Sequence, residues 1–134
     1  MSRVGIFGGT FNPPHSAHVR LVAFIRAHYA FDRMLVIPCA LPPHKQLADH
    51  VSAADRLAMA RLAFDGLAEV LDIEIRRGGK SYTVDTLRAL EAPGRELTLF
   101  MGGDMLLTLH QWKNYEEILQ RAKLRVFPRK REET

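Results

Sequence analysis

The sequence predicts an α/β fold: a Rossmann-like, doubly wound parallel sheet with helices on both faces. Three observations predict it. Short apolar segments alternate with segments whose apolar residues recur at helical spacing. Gly-rich or Pro-rich polar segments follow the apolar ones. The chain has 134 residues, 47% hydrophobic and 25% charged, which predicts a single domain over residues 1–134 with a buried core. Strands that alternate with helices form parallel sheets through right-handed crossovers.

The first half of the chain predicts two strands and two helices. Residues 4–7 form a short apolar strand that ends in a Gly-Gly turn, and a helix follows over residues 15–29. The second strand covers residues 34–37, and the Pro-rich segment 40–50 is a loop. Ser52 is the expected N-cap of a helix that reaches about residue 64.

The second half predicts the remaining elements. Leu71, Ile73 and Ile75 alternate with charged residues, which predicts a half-exposed strand. Further elements are predicted in this order: a helix at 83–90, a strand at 97–101, helical stretches at 104–110 and 114–122, and a last strand at 124–127.

Chemically distinctive segments follow four of the predicted strands. They are, in order, GGTFNPPHSAH, PCALPPHK, GGKSYTVD and GGD. In open α/β sheets the ligand crevice lies outside the carboxyl ends of the strands, where the strand order reverses. The sequence therefore predicts a ligand site that is built from these segments.

Two histidines in the first of these segments indicate phosphate chemistry. His15 and His18 are three residues apart at the start of a predicted helix, so they share one helical face. Helix N-termini attract anions, and imidazole donors there stabilise charge on a phosphoryl group. Gly8 and Gly9 let the backbone approach a ligand closely. Three other interpretations stay open: a capping or surface His, a zinc-binding pair without a nearby Cys or carboxylate in sequence, and a plain Gly-Gly turn.

Charge and composition narrow the partners and the compartment. The formal net charge is +4, but the basic residues are scattered and lack interleaved aromatic residues, so a nucleic-acid partner is not expected. No apolar run approaches the length of a membrane span, and the N-terminus lacks a signal-peptide pattern. Cys39 is the single cysteine, which fits a reducing compartment. We expect a cytoplasmic protein without a membrane partner, and a homo-oligomer stays open.

The segment GGTFNPPHSAH resembles the GGTFxPxHxGH loop of the HxGH nucleotidyltransferase superfamily. Four more segments match in order: LPPHK at 41–45, SYTVDTL at 81–87, GGDML at 102–106, and the Trp of HQWKNYEEIL at 110–119. Together they resemble bacterial nicotinate-nucleotide adenylyltransferases along nearly the whole chain. Two departures stand out. Ala17 replaces the Gly of HxGH, and these 134 residues contain no ISSTxIR segment, which binds the β- and γ-phosphates of ATP in that family.

The resemblance implies an enzyme of NAD biosynthesis. It would transfer AMP from ATP to nicotinate mononucleotide, giving deamido-NAD and pyrophosphate, with Mg²⁺ accompanying ATP. Two alternatives are an enzyme for another acceptor, such as nicotinamide mononucleotide or phosphopantetheine, and a catalytically impaired nucleotide-binding relative. The SYTVDTL segment and Trp112 argue against phosphopantetheine.

The resemblance also assigns roles to residues. Its catalytic residues would be His18, His15, Thr10 and Lys45. ATP and its phosphates would be bound by Gly8, Gly9, Phe11, His15, His18, Gly102 and Asp104. Nicotinate mononucleotide would be bound by Thr10, His44, Lys45, Tyr82, Thr83 and Trp112, whose indole would stack on the pyridine ring. No protein metal site is expected.

Simpler interpretations compete with four of these assignments. Lys45 fits a solvated loop lysine and Trp112 a core residue. Asp104 fits a helix cap, and the Ser-Tyr-Thr segment fits a plain N-cap. Asp85, to which no role is assigned, fits a surface acid in a first helical turn.

Overall fold

A parallel sheet forms the centre of the molecule. The computed structural model describes residues 2–11, 13–40 and 51–127. Within them the sheet has five strands in the order β3-β2-β1-β4-β5, with all neighbouring strands parallel. The strands are β1 (Ser2–Gly9), β2 (Arg33–Pro38), β3 (Glu69–Val70), β4 (Arg95–Gly102) and β5 (Ala122–Phe127). The predicted doubly wound α/β fold is confirmed.

Helices connect the strands. They are α1 (Ser16–His28), α2 (Ala53–Ala63), α3 (Ile73–Arg77), α4 (Thr83–Leu90), α5 (Gly103–Leu106) and α6 (Tyr115–Arg121). A 3₁₀ turn, Leu109–Gln111, separates α5 from α6, so the helical stretch predicted at 104–110 is divided into two short pieces. Ser52 caps α2 as predicted, because its Oγ accepts the Asp55 N–H at 3.0 Å. Among the described residues, none of these helices has the length and apolar character needed to cross a bilayer.

The strand order reverses beside β1. The chain runs outward from β1 through β2 to β3 and then returns to place β4 on the other side of β1. Phe7 of β1 is in register with Val36 of β2 and with Phe100 of β4. The carboxyl ends of β1 and β4 therefore flank the switch point, where ligands bind in sheets of this kind.

Two apolar cores cover the two faces of the sheet. One, the aliphatic core, packs α4 and α6 on the sheet and contains Val4, Ile6, Leu87 and Ile118 among its buried residues. The other, the aromatic core, packs α1 and α2 on the opposite face. Its buried aromatic members are Phe7, Phe11, Phe64 and Phe100. Successive residues of β1 enter different cores because side chains alternate along a strand, which is why its whole apolar run is buried.

The strand predicted at residues 71–75 is wrong. Strand β3 contains only Glu69–Val70, and Ile73–Arg77 is the short helix α3. The Arg76 Nε donates to Asp72 Oδ1 at 2.8 Å, a pair with the spacing of one helical turn. Leu71 and Ile73 still pack on the aliphatic core, while the charged Glu74 between the isoleucines is buried. The segment GGKSYTVD consequently follows a helix and not a strand.

Candidate active site

The loop after β1 turns sharply at Phe11. Its φ is +49°, a left-handed conformation that costs free energy in a residue with a side chain. The Phe11 ring is 2% exposed and packs edge-on against Phe7 and Phe64, with 5.6 Å between centroids in both pairs. A Cβ on Gly9 would lie 3.1 Å from the Phe11 ring, so Gly9 makes room for this packing. Burial of the aromatic ring thus holds the loop in its turn.

The Phe11 ring also supports His18. The two rings meet edge-on, with 5.1 Å between centroids and 81° between planes. On its other side, His18 stacks on His15 with 3.8 Å between centroids and 23° between planes. His18 is half-buried and His15 is exposed, so one imidazole is fixed by packing and the other lies on the surface. The predicted histidine pair therefore forms one unit on top of the aromatic core.

A backbone hydrogen bond selects one tautomer of the neutral His18 ring. The His15 N–H donates to His18 Nδ1 at 3.1 Å. Because a backbone N–H can only donate, Nδ1 is an acceptor, and the neutral ring carries its proton on Nε2. His18 therefore caps the N-terminus of α1 with one nitrogen and holds a donor proton on the other.

The N-terminus of α1 favours an anion. His15 is the N-cap of this 13-residue helix, and the first turn contains no acidic side chain. The N–H groups of the first turn and the helix dipole therefore give this end of α1 a positive potential that no acidic side chain of the turn offsets. Ala17 lies in this turn and is exposed, so its methyl group is at the surface of the protein.

Arg56 joins the loop after β1 to the end of β2, and sequence reasoning missed it. Its side chain lies 1% exposed on α2. One terminal nitrogen, Nη1, donates to the carbonyl oxygens of Thr10 (2.8 Å) and Cys39 (2.7 Å). The other, Nη2, donates to the Ala40 carbonyl oxygen at 2.8 Å. A signal existed: Arg56 precedes the buried Ala60 by one helical turn, so a charge lies on the apolar face of α2.

Thr10 is held by its neighbours as well. Its hydroxyl accepts a weak hydrogen bond from the Cys39 thiol, with 3.8 Å between Sγ and Oγ1. The Cys39 N–H donates to the Gly9 carbonyl oxygen at 2.9 Å, which extends the pairing of β1 and β2 by one bond. Burial raises the pKa of the Cys39 thiol, so this cysteine is a packed, protonated residue.

A second polar network ties the start of α4 to the end of β2. The Ala40 N–H donates to the Ser81 Oγ at 2.9 Å. Thr86 donates its hydroxyl proton to Glu74 at 2.5 Å and accepts a bond from Arg77 at 2.8 Å. Burial raises the pKa of Glu74, and the hydrogen bond from Thr86 and the charge of Arg77 oppose that shift. The sequence did not predict this network, because Glu74 lay in a predicted strand and Ser81 in a segment interpreted as a helix N-cap.

Tyr82, Thr83 and Trp112 lie on the other face of the sheet from the histidines. Tyr82 is the N-cap residue of α4, and Thr83 begins the helix. Tyr82 and Trp112 are both half-buried and pack against the aliphatic core. Trp112 is therefore partly a core residue, as the simpler interpretation predicted, and part of its side chain stays accessible. The Lys113 Nζ lies 4.6 Å from the centroid of the Tyr82 ring. Asp85 in the first turn of α4 pairs with Arg88 at 3.4 Å, which fits a surface acid.

Two of the remaining predicted residues, Gly102 and Asp104, lie at the end of β4 or just after it. Gly102 is the last residue of β4 and the N-cap of α5, so the N-cap position belongs to it and not to Asp104, which lies within α5. His44 and Lys45 lie outside the described residues. Within residues 2–11, 13–40 and 51–127, no group of three or more His, Cys, Asp or Glu side chains is arranged to hold a metal ion.

The sheet order and the histidine pair define an α/β protein with an anion-attracting edge at its switch point. The chain belongs to the cytidylyltransferase-like family, whose sequence profile matches residues 6–134. This assignment agrees with the resemblance of its first loop to the HxGH nucleotidyltransferases.

Curated relatives within this family share a more specific name. The chain is 45% identical over 129 residues to a Desulfatibacillum aliphaticivorans protein named "Probable nicotinate-nucleotide adenylyltransferase", covering 95% of this chain and 60% of the relative. It is 47% identical over 131 residues to a Geobacter sulfurreducens protein of the same name, covering 95% of this chain and 61% of the relative. The chain thus spans about three fifths of the length of these relatives.

Solved structures share the fold. The nicotinic acid mononucleotide adenylyltransferase of Plasmodium falciparum, solved in complex with NaAD, superimposes with a TM-score of 0.78 at 17% identity. The match covers 98% of this chain and 77% of that structure. At this identity the likeness establishes a common fold, and the five-stranded parallel sheet is part of it.

Proposed function

We propose that the chain is a nicotinate-nucleotide adenylyltransferase, which transfers AMP from ATP to nicotinate mononucleotide and releases pyrophosphate. One observation carries the proposal: two stacked imidazoles cap the helix that follows β1, and the Nδ1 of His18 accepts the His15 N–H. The relatives of that name, at 45% and 47% identity, support the choice of reaction. We expect the protein in the cytoplasm.

The proposed transfer needs no covalent bond between the protein and the substrate. A phosphate oxygen of the acceptor attacks the α-phosphorus of ATP, the bond from that phosphorus to the bridging oxygen breaks, and pyrophosphate leaves. Such transfers depend on positioning and on stabilisation of charge at the phosphoryl oxygens. His18 would donate from Nε2 to an α-phosphate oxygen, and the N–H groups of α1 would add positive potential. Mg²⁺ would arrive as part of the ATP substrate, held by phosphate oxygens.

The start of α4 and Trp112 would bind the acceptor. Thr83 begins α4, and the N–H groups of this first turn would donate hydrogen bonds to the carboxylate of the acceptor. Trp112 is half-buried, which leaves part of the indole accessible for stacking on a pyridine ring. Together they support nicotinate mononucleotide over an acceptor without an aromatic carboxylate. Thr10, His44 and Lys45 would bind the acceptor phosphate.

A pyrophosphate-release assay tests this proposal. Purified protein is mixed with ATP, Mg²⁺ and one acceptor at a time: nicotinate mononucleotide, nicotinamide mononucleotide or phosphopantetheine. We expect pyrophosphate release with nicotinate mononucleotide and at least tenfold slower release with the other two acceptors. A tenfold difference corresponds to about 1.4 kcal/mol of discrimination. Release that is fastest with another acceptor contradicts the proposed substrate. ATP binding by calorimetry without any release would support the catalytically impaired alternative instead.

A further inference from the structure

Arg56 is a buried cation that the proposed chemistry does not use. Its side chain is 1% exposed, and in the described part of the chain no carboxylate lies within ion-pair distance of it. Its Nε is buried without a hydrogen-bond partner among those residues. Burying a guanidinium is costly, and an apolar side chain of similar volume would avoid the cost. The three bonds to carbonyl oxygens therefore indicate what the residue is for.

Those carbonyl groups belong to two different loops. Thr10 follows β1 and leads into the Phe11 turn that supports His18. Cys39 and Ala40 follow β2 and accept the other two bonds. Ala40 is held at both of its backbone groups, since its N–H donates to Ser81. A single planar side chain thus bridges the segments that follow the two strands, beyond the last backbone bond between them.

We propose that Arg56 is a positioning residue for the adenylyl transfer: it fixes Thr10, and through the Phe11 turn His18, relative to the end of β2. The proposal rests on the proposed function. The guanidinium suits the task because its donors point in fixed directions, whereas a lysine ammonium is a single point on a flexible stem. Misplacing a reacting group by about 1 Å can cost a hundredfold in rate.

Three variants test the proposal on the whole chain. Arg56→Ala removes the side chain, and Arg56→Lys keeps the charge without the fork. Arg61→Ala removes an exposed arginine from the last turn of the same helix and is the matched control. The first readout is hydrogen exchange at the Cys39 and Ala40 amides, whose N–H groups are bonded to Gly9 and Ser81. The second is kcat for pyrophosphate release.

We expect both Arg56 variants to exchange at these two amides about tenfold faster, while the amides of β4 keep their protection. The kcat should fall about a hundredfold in both, and Arg61→Ala should match the parent. Millimolar guanidinium ion should restore protection and kcat in Arg56→Ala, because the vacated space retains three carbonyl acceptors. It should not help Arg56→Lys, whose side chain fills that space.

Two results overturn the proposal. One is parent-like protection of Cys39 and Ala40 in both variants, and the other is faster exchange throughout β4, which would assign Arg56 to global stability. If Arg56→Ala does not fold, Arg56→Lys decides by the same amides. A parent chain without pyrophosphate release contradicts the proposed function alone. ATP affinity by calorimetry then replaces kcat, and we expect it to fall in both Arg56 variants and not in Arg61→Ala.

Discussion

Arginine is used in opposite ways at the switch-point edge and on the α4–α6 surface. At the edge, the buried Arg56 bonds three backbone carbonyl groups. On the surface, Arg88 and Arg121 both bond the carboxylate of Glu117, and Arg121 also pairs with Glu91. Exposed ion pairs contribute little to stability because water and salt screen them. Removing a buried partner leaves polar groups without hydrogen bonds, which costs much more.

The carboxylates of the two regions differ in the same way. Hydrogen bonds from Arg88 and Arg121 lower the pKa of Glu117 from 4.5 to about 2. Burial raises the pKa of Glu74, beneath the loops of the edge. The surface therefore stabilises a charge, whereas the interior of the edge disfavours one. We therefore expect substitutions at the switch-point edge to affect function, and substitutions on the α4–α6 surface to affect only stability.

The largest effect is expected at His18. His18→Asn keeps an acceptor for the His15 N–H but shortens the reach to the substrate, whereas His18→Gln keeps a donor near the position of Nε2. We expect His18→Asn to lose at least about a hundredfold in kcat, as for loss of one donor to a developing charge. His18→Gln should retain more activity. Arg88→Ala, on the surface, should keep the parent kcat, and equal rates for both His18 variants would contradict the Nε2 assignment.

The second-largest effect is expected on the free energy of unfolding when Phe11 is replaced. Phe11→Ala empties a buried aromatic position and removes the ring contacts to Phe7, Phe64 and His18, so the free energy of unfolding should fall by about 3–5 kcal/mol. Leu119→Ala is the surface comparison, because Leu119 is 48% exposed on α6. It should change that free energy by less than about 1 kcal/mol. Urea denaturation measures both, and similar losses would contradict the packing described for the loop.

The smallest effect is a pH dependence that separates the two carboxylates. The pKa of Glu117 is depressed in the folded state, so its stabilisation is present above pH 4.5 and is lost as pH falls toward 2. The pKa of Glu74 is raised, so its contribution is most favourable below pH 4.5 and declines as pH rises above it.

Thermal unfolding of Glu117→Gln and Glu74→Gln across this range measures the difference. The Tm of Glu117→Gln should lie below that of the parent at neutral pH and approach it as pH falls. The Tm of Glu74→Gln should gain on the parent as pH rises above 4.5. Parallel curves for the two variants would show that both carboxylates share one environment.

Local sequence signals predicted most of the fold. The apolar runs of β1, β2 and β4 are buried on both faces of the sheet, so their composition alone marks them as strands. The helix α4 was predicted with its observed bounds because its apolar spacing is regular. The prediction for residues 71–75 was wrong because one leucine and two isoleucines alternate there with charged residues, which is a strand pattern. The Asp72–Arg76 bond and the burial of Glu74 stabilise a helix instead.

The sequence by itself determined the parallel α/β fold and the placement of His15 and His18 at the first turn of α1, because both follow from residue spacing along one element. Only the tertiary structure revealed how the loops are held. Arg56 meets Thr10 across 46 positions of the chain, and Ser81 meets Ala40 across 41. The pattern of α2 marks Arg56 as a charge on an apolar helical face. Which carbonyl groups it bonds is decided by the packing of separate elements, so the contacts that hold the site form only when the chain folds.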